Sequence, residues 1–225
     1  MKNNLSVVDY RKLRLSNITT TRFNHLFLLV FWPLFGLAFA WLEKYYPVSH
    51  YINVVSPLDG FIPFCEWFVI PYVFWFAYIV GMHIYTLLFD VGAFRKMMWY
   101  FVVAYTSTLV IYLIFPTCQQ LRPESFARDN FLTRFMENYY AMDTHTNVCP
   151  SLHVVGSLAV MFTSWHAKGM ENKWIKLSIS IVAILICLST VFVKQHSVID
   201  ILVAVPICGI TYFAVFKSNP KFNVE

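Results

Sequence analysis

Two histidines and one aspartate of this 225-residue chain have a spacing and a setting that could support chemistry. His196 and Asp200 are four positions apart, so on a helix their side chains lie on the same face. A carboxylate bonded to one imidazole nitrogen sets the tautomer and leaves the other nitrogen as a nucleophile or base. His153 supplies a second imidazole, a group whose ordinary pKa near neutrality suits protonation of a leaving oxygen.

Two cations, Arg122 and Lys194, fall close to these groups in the pattern of apolar and polar segments. Arginine in particular binds phosphate through two parallel hydrogen bonds. Two imidazoles, one carboxylate and two cations fit phosphoryl transfer, in which catalysis is mostly positioning and neutralisation of charge on oxygen. The sequence lacks the Cys-x5-Arg loop of thiol phosphatases and the glycine-rich P-loop.

The elements that must position these residues are membrane helices. Hydrophobic residues make up 58% of the chain, charged residues make up 13%, and the mean hydropathy is +0.58. A soluble domain carries about 25% charged residues, so the composition excludes a conventional soluble enzyme and a disordered chain. The five cysteines show no CxxC or CxxH spacing, which argues against a zinc site. We therefore predict an all-α, polytopic membrane protein.

Six apolar runs predict six transmembrane helices, since about 20 apolar residues cross a membrane. The runs are Phe27–Leu42, Pro71–Phe89, Met97–Phe115, Val154–Ala167, Trp174–Val193 and Ser197–Phe216. The fourth run is short, so we expect its helix to begin at Ser151 or earlier, or to lie below the membrane surface. The predicted organisation is a basic N-terminal segment at 1–24, a six-helix membrane domain at 25–216 and a tail at 217–225.

The positive charges predict the orientation of these helices. With six crossings, both termini and two short loops share one side of the membrane, and that side holds 12 of the 17 lysines and arginines. Positive residues favour the cytoplasm, so we expect both termini to be cytoplasmic and the candidate site residues to face the opposite compartment. The net charge of +5 follows this topology and forms no basic stripe, so we expect no nucleic-acid partner.

Three short motifs give the chain a resemblance to the type 2 phosphatidic acid phosphatase, or lipid phosphate phosphatase, superfamily. The family patterns are K-x6-R-P, P-S-G-H and S-R-x5-H-x3-D, and the resemblance covers about residues 60–216. The matching residues are Arg122-Pro123, then Pro150-Ser151-Leu152-His153, then Ser189, His196 and Asp200. Three positions differ from the patterns, since Phe115 and Thr190 replace the family's lysine and arginine and Leu152 replaces its glycine.

The resemblance implies a metal-independent lipid phosphatase without a cofactor. His196 would attack phosphorus to form a phosphohistidine, Asp200 would orient it, and His153 would protonate the leaving alkoxide. The groups implied to hold the phosphate are Arg122, Ser151 and the backbone amide of Leu152, and Lys194 could replace one missing cation. The expected partners are a lipid phosphate substrate, of the phosphatidic acid, phosphatidylglycerol phosphate or undecaprenyl pyrophosphate type, and the surrounding membrane lipids.

Other functions remain open on the sequence. The looser motifs resemble those of inositol phosphorylceramide synthase-like members, which transfer a phospho-headgroup to an alcohol. His153, His196 and Asp200 could instead bind a metal ion, and Ser151 with His196 could form a serine hydrolase, although the GxSxG pattern is absent. A non-enzymatic lipid-binding or transport protein is the remaining alternative.

Overall fold

The computed structural model describes residues 7–217, so residues 1–6 of the predicted N-terminal segment and 218–225 of the predicted tail lie outside the described residues. The described part forms seven α-helices: α1 (Phe31–Lys44), α2 (Val69–Phe89), α3 (Val91–Ile114), α4 (Phe131–Met142), α5 (Leu152–His166), α6 (Lys173–Phe192) and α7 (Val198–Tyr212). Two short strands, β1 (Ile52–Asn53) and β2 (Thr117–Cys118), pair in parallel. The predicted all-α class is confirmed.

Five helical stretches are long and apolar enough to cross a membrane, which makes the chain a multi-pass membrane protein. They are Asn24–Lys44, Glu66–Phe89, Val91–Ile114, Lys173–Phe192 and Val198–Lys217. The fourth predicted run forms α5, which has 15 residues and so measures about 22 Å at 1.5 Å per residue. That length is below the hydrocarbon thickness of about 30 Å, so the count of six crossings stays a prediction.

The short helix α5 lies at the centre of the bundle, where it packs against α2, α3, α6 and α7. Val154 and Ala159 are fully buried, as expected for a helix that is apolar on all sides. Gly156 permits the closest approach, because a Cβ atom there would lie 2.7 Å from Oη of Tyr105 and 2.8 Å from Cδ1 of Ile79. A larger residue at this position would push α5 away from α2 and α3.

Polar side chains define where two of the helices begin. Asp90 ends α2 and caps α3, accepting a 3.1 Å hydrogen bond from the amide of Ala93. Ser197 caps α7 and accepts a hydrogen bond from the amide of Ile199 at 3.2 Å. Asp200 completes a capping box, since its Oδ2 accepts the amide of Ser197 at 3.0 Å. The start of α7 is therefore held by the same carboxylate that the sequence places beside a histidine.

The long segment between α3 and α5 contains α4 and folds back on itself. The amide of Gln119 donates to the carbonyl of His145 at 3.0 Å, and the amide of Asn147 donates to the carbonyl of Thr117 at 2.6 Å. The hydroxyl of Thr117 also accepts the amide of Cys149 at 3.1 Å. These bonds bring the first and second sequence motifs together at one end of the bundle.

Candidate active site

His196 and Asp200 form a hydrogen-bonded pair at the start of α7. Nδ1 of His196 lies 2.9 Å from Oδ2 of Asp200, and both residues are buried. The backbone amide of His196 donates to the carbonyl of Thr190 at 3.0 Å, which joins the pair to the end of α6. Because the carboxylate accepts the Nδ1 proton, the lone pair of the ring lies on Nε2. The pair therefore presents a basic, oriented nitrogen.

The ring of His153, in the first turn of α5, lies between two aromatic rings of α2. The centroid of Tyr72 is 4.4 Å from that of the imidazole at an interplanar angle of 19°, and the centroid of Trp75 is 4.2 Å away. Nε2 of His153 is buried and has no hydrogen-bond partner among the described residues. Most buried polar atoms are paired, so such an exception marks a group available for a ligand.

The two histidines meet at one cavity of about 350 Å³. Their ring centroids are 6.0 Å apart and their planes are inclined by 62°. Aromatic residues of α1, α2, α3 and α4 form a large part of the wall, and polar residues of the segment before α5 also line it. The separation leaves space for one phosphoryl group, whose phosphorus would contact one ring while its leaving oxygen contacts the other.

The N-terminus of α5 opens beside this cavity. Leu152 lines the cavity, and Ser151 precedes the helix as its cap. The amide of Ser151 donates to the carbonyl of Asp200 at 3.3 Å, while its buried hydroxyl has no partner among the described residues. The first amides of a helix lack intrahelical partners and attract anions. The arrangement can hold a phosphate oxygen next to His153.

Arg122, a predicted substrate-binding residue, uses its guanidinium within the protein. It donates to the carbonyls of Tyr140 at 2.9 Å, Asp143 at 3.0 Å and Thr144 at 2.6 Å, and to Oε1 of Gln195 at 2.7 Å. Its guanidinium also lies 4.7 Å from the centroid of the Tyr140 ring. These hydrogen bonds hold the end of α4 against Gln195, the residue before His196. A direct contact of Arg122 with substrate stays a prediction.

Lys194, the other basic residue predicted to bind substrate, also donates its hydrogen bonds to backbone carbonyls. Its Nζ donates to the carbonyl of Asp59 at 2.9 Å and to the carbonyl of Ile62. Its backbone is left-handed, with φ of 54°, and burial lowers the pKa of its amino group. Among the described residues, no lysine or arginine lines the cavity. Substrate binding by Lys194 stays a prediction.

Two carboxylates lie near the cavity. Asp143 is one of its lining residues. Burial raises the pKa of this carboxyl, although 45% of the side chain stays exposed and Arg122 acts in the opposite direction. Glu43, at the end of α1, accepts hydrogen bonds from Asn147 at 2.6 Å and Thr146 at 3.2 Å. The rim of the site is therefore acidic.

Sequence reasoning missed Asp59, whose buried carboxylate ties the segment before α2 to the start of α7. It accepts the hydroxyl of Ser197 at 2.6 Å, the amide of Val198 at 2.8 Å and the amide of Ser56 at 2.7 Å. The sequence Ser56-Pro57-Leu58-Asp59 carries a local capping signal. That signal indicates a turn, but it does not indicate the distant partner.

Sequence reasoning also missed the aromatic residues that hold His153. Tyr72 and Trp75 are three positions apart, so they share a face of α2, and this was a signal for a pair of neighbouring rings. Both residues fall at the start of the predicted transmembrane run Pro71–Phe89, and aromatic residues are also common at a membrane surface, so the pair did not indicate a contact with His153. His83, which is also flanked by apolar residues, does not line the cavity of His153 and His196.

Fold and site together define a multi-pass, helical membrane protein with two histidines and a buried carboxylate at one cavity. In comparisons with known proteins, a family model of the PAP2 superfamily matches residues 96–223, which is more than half of the chain. The chain therefore belongs to the PAP2 superfamily, whose members are typically phosphatases. The resemblance seen in the motifs is confirmed. No curated protein and no solved structure matches the chain.

The metal centre, one of the alternatives left open by the sequence, has no geometric counterpart in residues 7–217. No group of three histidine, cysteine, aspartate or glutamate side chains there is placed to hold a metal ion. Within that range, Asp200 instead lies behind His196, on the side of Nδ1. Independence from metal ions stays a prediction that an assay must test.

Proposed function

We propose that this protein is a membrane lipid phosphatase that hydrolyses a lipid phosphate monoester or pyrophosphate through a phosphohistidine intermediate. Membership of the PAP2 superfamily supports phosphatase-type activity on phosphate esters. The observation that carries the finer proposal is the placement of His153 and His196 with 6.0 Å between their centroids at one cavity, while Asp200 orients His196. Phosphatidic acid, phosphatidylglycerol phosphate and undecaprenyl pyrophosphate are substrates of this type.

In the first step, the lone pair on Nε2 of His196 attacks phosphorus. A nitrogen–phosphorus bond forms as the bond from phosphorus to the leaving oxygen breaks. Protonated His153 gives its proton to that oxygen, which leaves as an alcohol or, from a pyrophosphate, as a phosphate. Asp200 stabilises the positive charge that develops on the attacking ring.

In the second step, water attacks the phosphohistidine. The now neutral His153 takes a proton from the water as the oxygen–phosphorus bond forms and the nitrogen–phosphorus bond breaks. Inorganic phosphate leaves and His196 returns to its starting state. The unpartnered Nε2 of His153 supports this double role, because the acid and the base are the same nitrogen.

The phosphate oxygens would be held chiefly by the start of α5. The hydroxyl of Ser151 lacks a partner among the described residues, and the amide of Leu152 belongs to the free first turn of the helix. Such donors are oriented before substrate binds, so they lower the barrier without reorganisation. Arg122 and Lys194 would position the site residues, because their hydrogen bonds hold the surrounding backbone segments in place.

The proposed site faces away from the cytoplasm, and both termini face the cytoplasm. The distribution of 12 of 17 lysines and arginines on the opposite side supports this orientation. A membrane-impermeant phosphate ester offered to right-side-out vesicles checks it. Hydrolysis without permeabilisation is the expected result, and activity that requires permeabilisation contradicts the orientation.

The decisive experiment uses the purified full chain and a panel of lipid phosphates, with release of inorganic phosphate as the readout. The same samples are quenched in alkali to trap a phosphohistidine, which is labile to acid. We expect His196→Ala to abolish both turnover and the trapped phosphoenzyme. His145→Ala is the matched control, since this exposed imidazole lies outside the cavity lining.

Four outcomes contradict parts of the proposal. A phosphoenzyme that persists in His196→Ala excludes His196 as the nucleophile. Activity that is lost in EDTA and restored by a divalent metal ion excludes the metal-independent mechanism. Binding of lipid phosphates without phosphate release from any of them favours a non-enzymatic lipid-binding or transport protein. In the same panel, a large loss in Ser151→Ala together with a trapped acyl-enzyme favours the serine hydrolase.

A second candidate function, transfer of a phospho-headgroup from one lipid to an alcohol, is favoured by the charge of the cavity. A phosphate monoester is close to doubly negative at neutral pH, and a phosphodiester carries a single charge. Within residues 7–217 the cavity has no lysine or arginine in its lining and contains the carboxylate of Asp143. This charge balance suits the singly charged ester better than a dianion.

The two candidates differ in their products. The purified protein is incubated with a phosphodiester lipid, and separately with a lipid phosphate, each with and without a long-chain alcohol acceptor. Free phosphate from the monoester, independent of the acceptor, supports the phosphatase. New phospholipid that requires the acceptor supports the transferase.

A further inference from the structure

An apolar groove adjoins the catalytic cavity, between α2 and the helical stretch Asn24–Lys44 that contains α1. It has a volume of about 380 Å³ and shares two residues, Trp32 and Trp75, with the cavity that contains the histidines. Apart from His83, its remaining lining is aliphatic or phenyl side chains. The two spaces therefore lie side by side at Trp32 and Trp75, with polar groups on the catalytic side and apolar groups on the other.

The imidazole of His83 is the polar group at the apolar end, and both of its nitrogens are engaged. Nδ1 donates to the carbonyl of Ile79 at 2.8 Å, and Nε2 accepts the indole N–H of Trp32 at 3.2 Å. A neutral imidazole has one donor and one acceptor, so no polar capacity of the ring is left for a ligand. Besides the indole N–H of Trp75, which has no hydrogen-bond partner among the described residues, the groove offers a ligand only apolar contact.

Hydrogen bonds hold both ends of the helix α1, and the middle of the helix is exposed at Gly36. Glu43 holds its end near the active site by accepting a hydrogen bond from Asn147 at 2.6 Å, and Trp32 holds the other end through His83. The face between them carries Phe35 and Gly36, which also line the cavity. A Cβ atom at Gly36 would meet no atom within 4 Å, so the helix leaves a gap there.

We propose that this groove binds a hydrocarbon chain of the substrate, which enters from the membrane beside Gly36 while its phosphate reaches His196. The inference rests on the proposed function and names where the lipid part of the substrate binds. Because the groove adjoins the cavity of His153 and shares Trp32 and Trp75 with it, a chain attached to a phosphate fits better than an unrelated membrane lipid.

The dimensions of the groove fit a chain. From Tyr72, beside His153, to His83, the helix α2 rises by about 16 Å at 1.5 Å per residue. Each methylene buried along that path strengthens binding by about fourfold. Both helices precede residue 96, where the family match begins, so this binding region belongs to the part of the chain that the family match does not include.

Photolabelling tests occupancy directly, and it does not require turnover. The full chain in lipid nanodiscs is irradiated with a hexadecyl phosphate that carries a diazirine at the end of its chain. We expect adducts at residues such as Leu29 and Val80, which line the groove, and we expect excess unlabelled hexadecyl phosphate to displace them. Adducts elsewhere, or equal labelling by a diazirine alkane without phosphate, would overturn the proposal.

A pair of glycine variants tests the effect on catalysis. Gly36→Leu fills the gap beside the cavity, whereas Gly81→Leu places the same side chain on an open face of α2 that lines neither space. The readout is the ratio of kcat/KM for hexadecyl phosphate to kcat/KM for butyl phosphate. We expect this ratio to fall about 16-fold in Gly36→Leu, the effect of losing about two buried methylenes, and to stay unchanged in Gly81→Leu.

Further outcomes separate this inference from the proposed function. An unchanged ratio in Gly36→Leu, together with an unchanged ratio in Val80→Phe at the apolar end, overturns the groove. Failure of the wild-type protein to release phosphate from either alkyl phosphate refutes the phosphatase. In that case the displacement of photolabel by hexadecyl phosphate still decides whether the groove binds the chain.

Discussion

The carboxylate of Asp59 accepts a 2.6 Å hydrogen bond from the hydroxyl of Ser197, a residue 138 positions further along the chain. Ser197 directly follows His196 and caps α7. The same carboxylate accepts the amide of Val198, the first residue of that helix. The contact therefore fixes the position of the candidate nucleophile relative to the segment that enters α2.

This contact makes Asp59 a positioning residue. Asp59→Asn replaces one acceptor oxygen with a donor that faces hydrogen-bond donors, so we expect unfolding to become easier by about 1–3 kcal/mol. We also expect kcat to fall by up to about 10²-fold, because small displacements of a reacting group are costly, while KM changes little. Thermal unfolding and steady-state kinetics of the purified protein measure both effects.

The control for Asp59→Asn is Asp129→Asn, which breaks an exposed ion pair with Arg134. Exposed pairs contribute little to stability, so this variant should resemble the wild type. A wild-type kcat in Asp59→Asn would exclude the positioning role.

The role of His153 as the general acid predicts a dependence on the leaving group. An alkyl alkoxide needs a proton to leave, whereas p-nitrophenolate leaves largely without one. We expect His153→Ala to lose about 10²–10⁴-fold in kcat/KM on a lipid phosphate and much less on p-nitrophenyl phosphate. Equal losses on both substrates would remove the assignment, and unaltered kinetics of His145→Ala on both substrates is the control.

The hydrogen bonds of Arg122 predict that replacement of this residue by lysine lowers the stability of the protein. Its guanidinium reaches three carbonyls and Gln195 at once, and the three donors of a lysine ammonium cannot reproduce that planar pattern. We expect Arg122→Lys to lower the free energy of unfolding by about 1–3 kcal/mol, measured as a lower Tm. Arg128→Lys, at a side chain that is 74% exposed, should leave Tm unchanged.

The kinetics of Arg122→Lys distinguish this structural role from phosphate binding. A phosphate contact would raise KM in a protein of normal Tm. A lower Tm with a KM close to that of the wild type supports the structural role, in which Arg122 holds the end of α4 beside Gln195. A normal Tm with a raised KM would contradict it.

The raised pKa of the Asp143 carboxyl predicts that the stability of the protein depends on pH. Burial raises the pKa of this carboxyl above its ordinary value of 3.8 in the folded protein. The folded state then binds more protons than the unfolded state between the two pKa values, so this group makes stability decrease as the pH rises through that interval. We expect Asp143→Asn to weaken the decrease, measured as Tm against pH from about 3.5 upwards. Identical profiles for variant and wild type would contradict the shift.

The amino-acid sequence by itself determined the features that depend on neighbours along the chain. His196 and Asp200 are four positions apart, and the structure shows a 2.9 Å hydrogen bond between them, although His196 precedes α7 and only Asp200 lies in the helix. Long apolar runs have no alternative to spanning the membrane as helices, because backbone groups in hydrocarbon must pair within the segment. The three motifs sufficed to predict the family, which the match over residues 96–223 confirms.

Tertiary structure alone decided which distant groups meet. The turn containing Asp59 reaches Ser197 across 138 residues, the rings of Tyr72 and Trp75 enclose His153, and Arg122 turns its charge to carbonyls instead of the cavity. Hydropathy could not predict these contacts, because the lipid around a membrane helix is as apolar as the helices it could contact. The helix faces that pack are selected by how well side chains of neighbouring helices fit together and by hydrogen bonds between those helices. Both interactions form only when the bundle assembles.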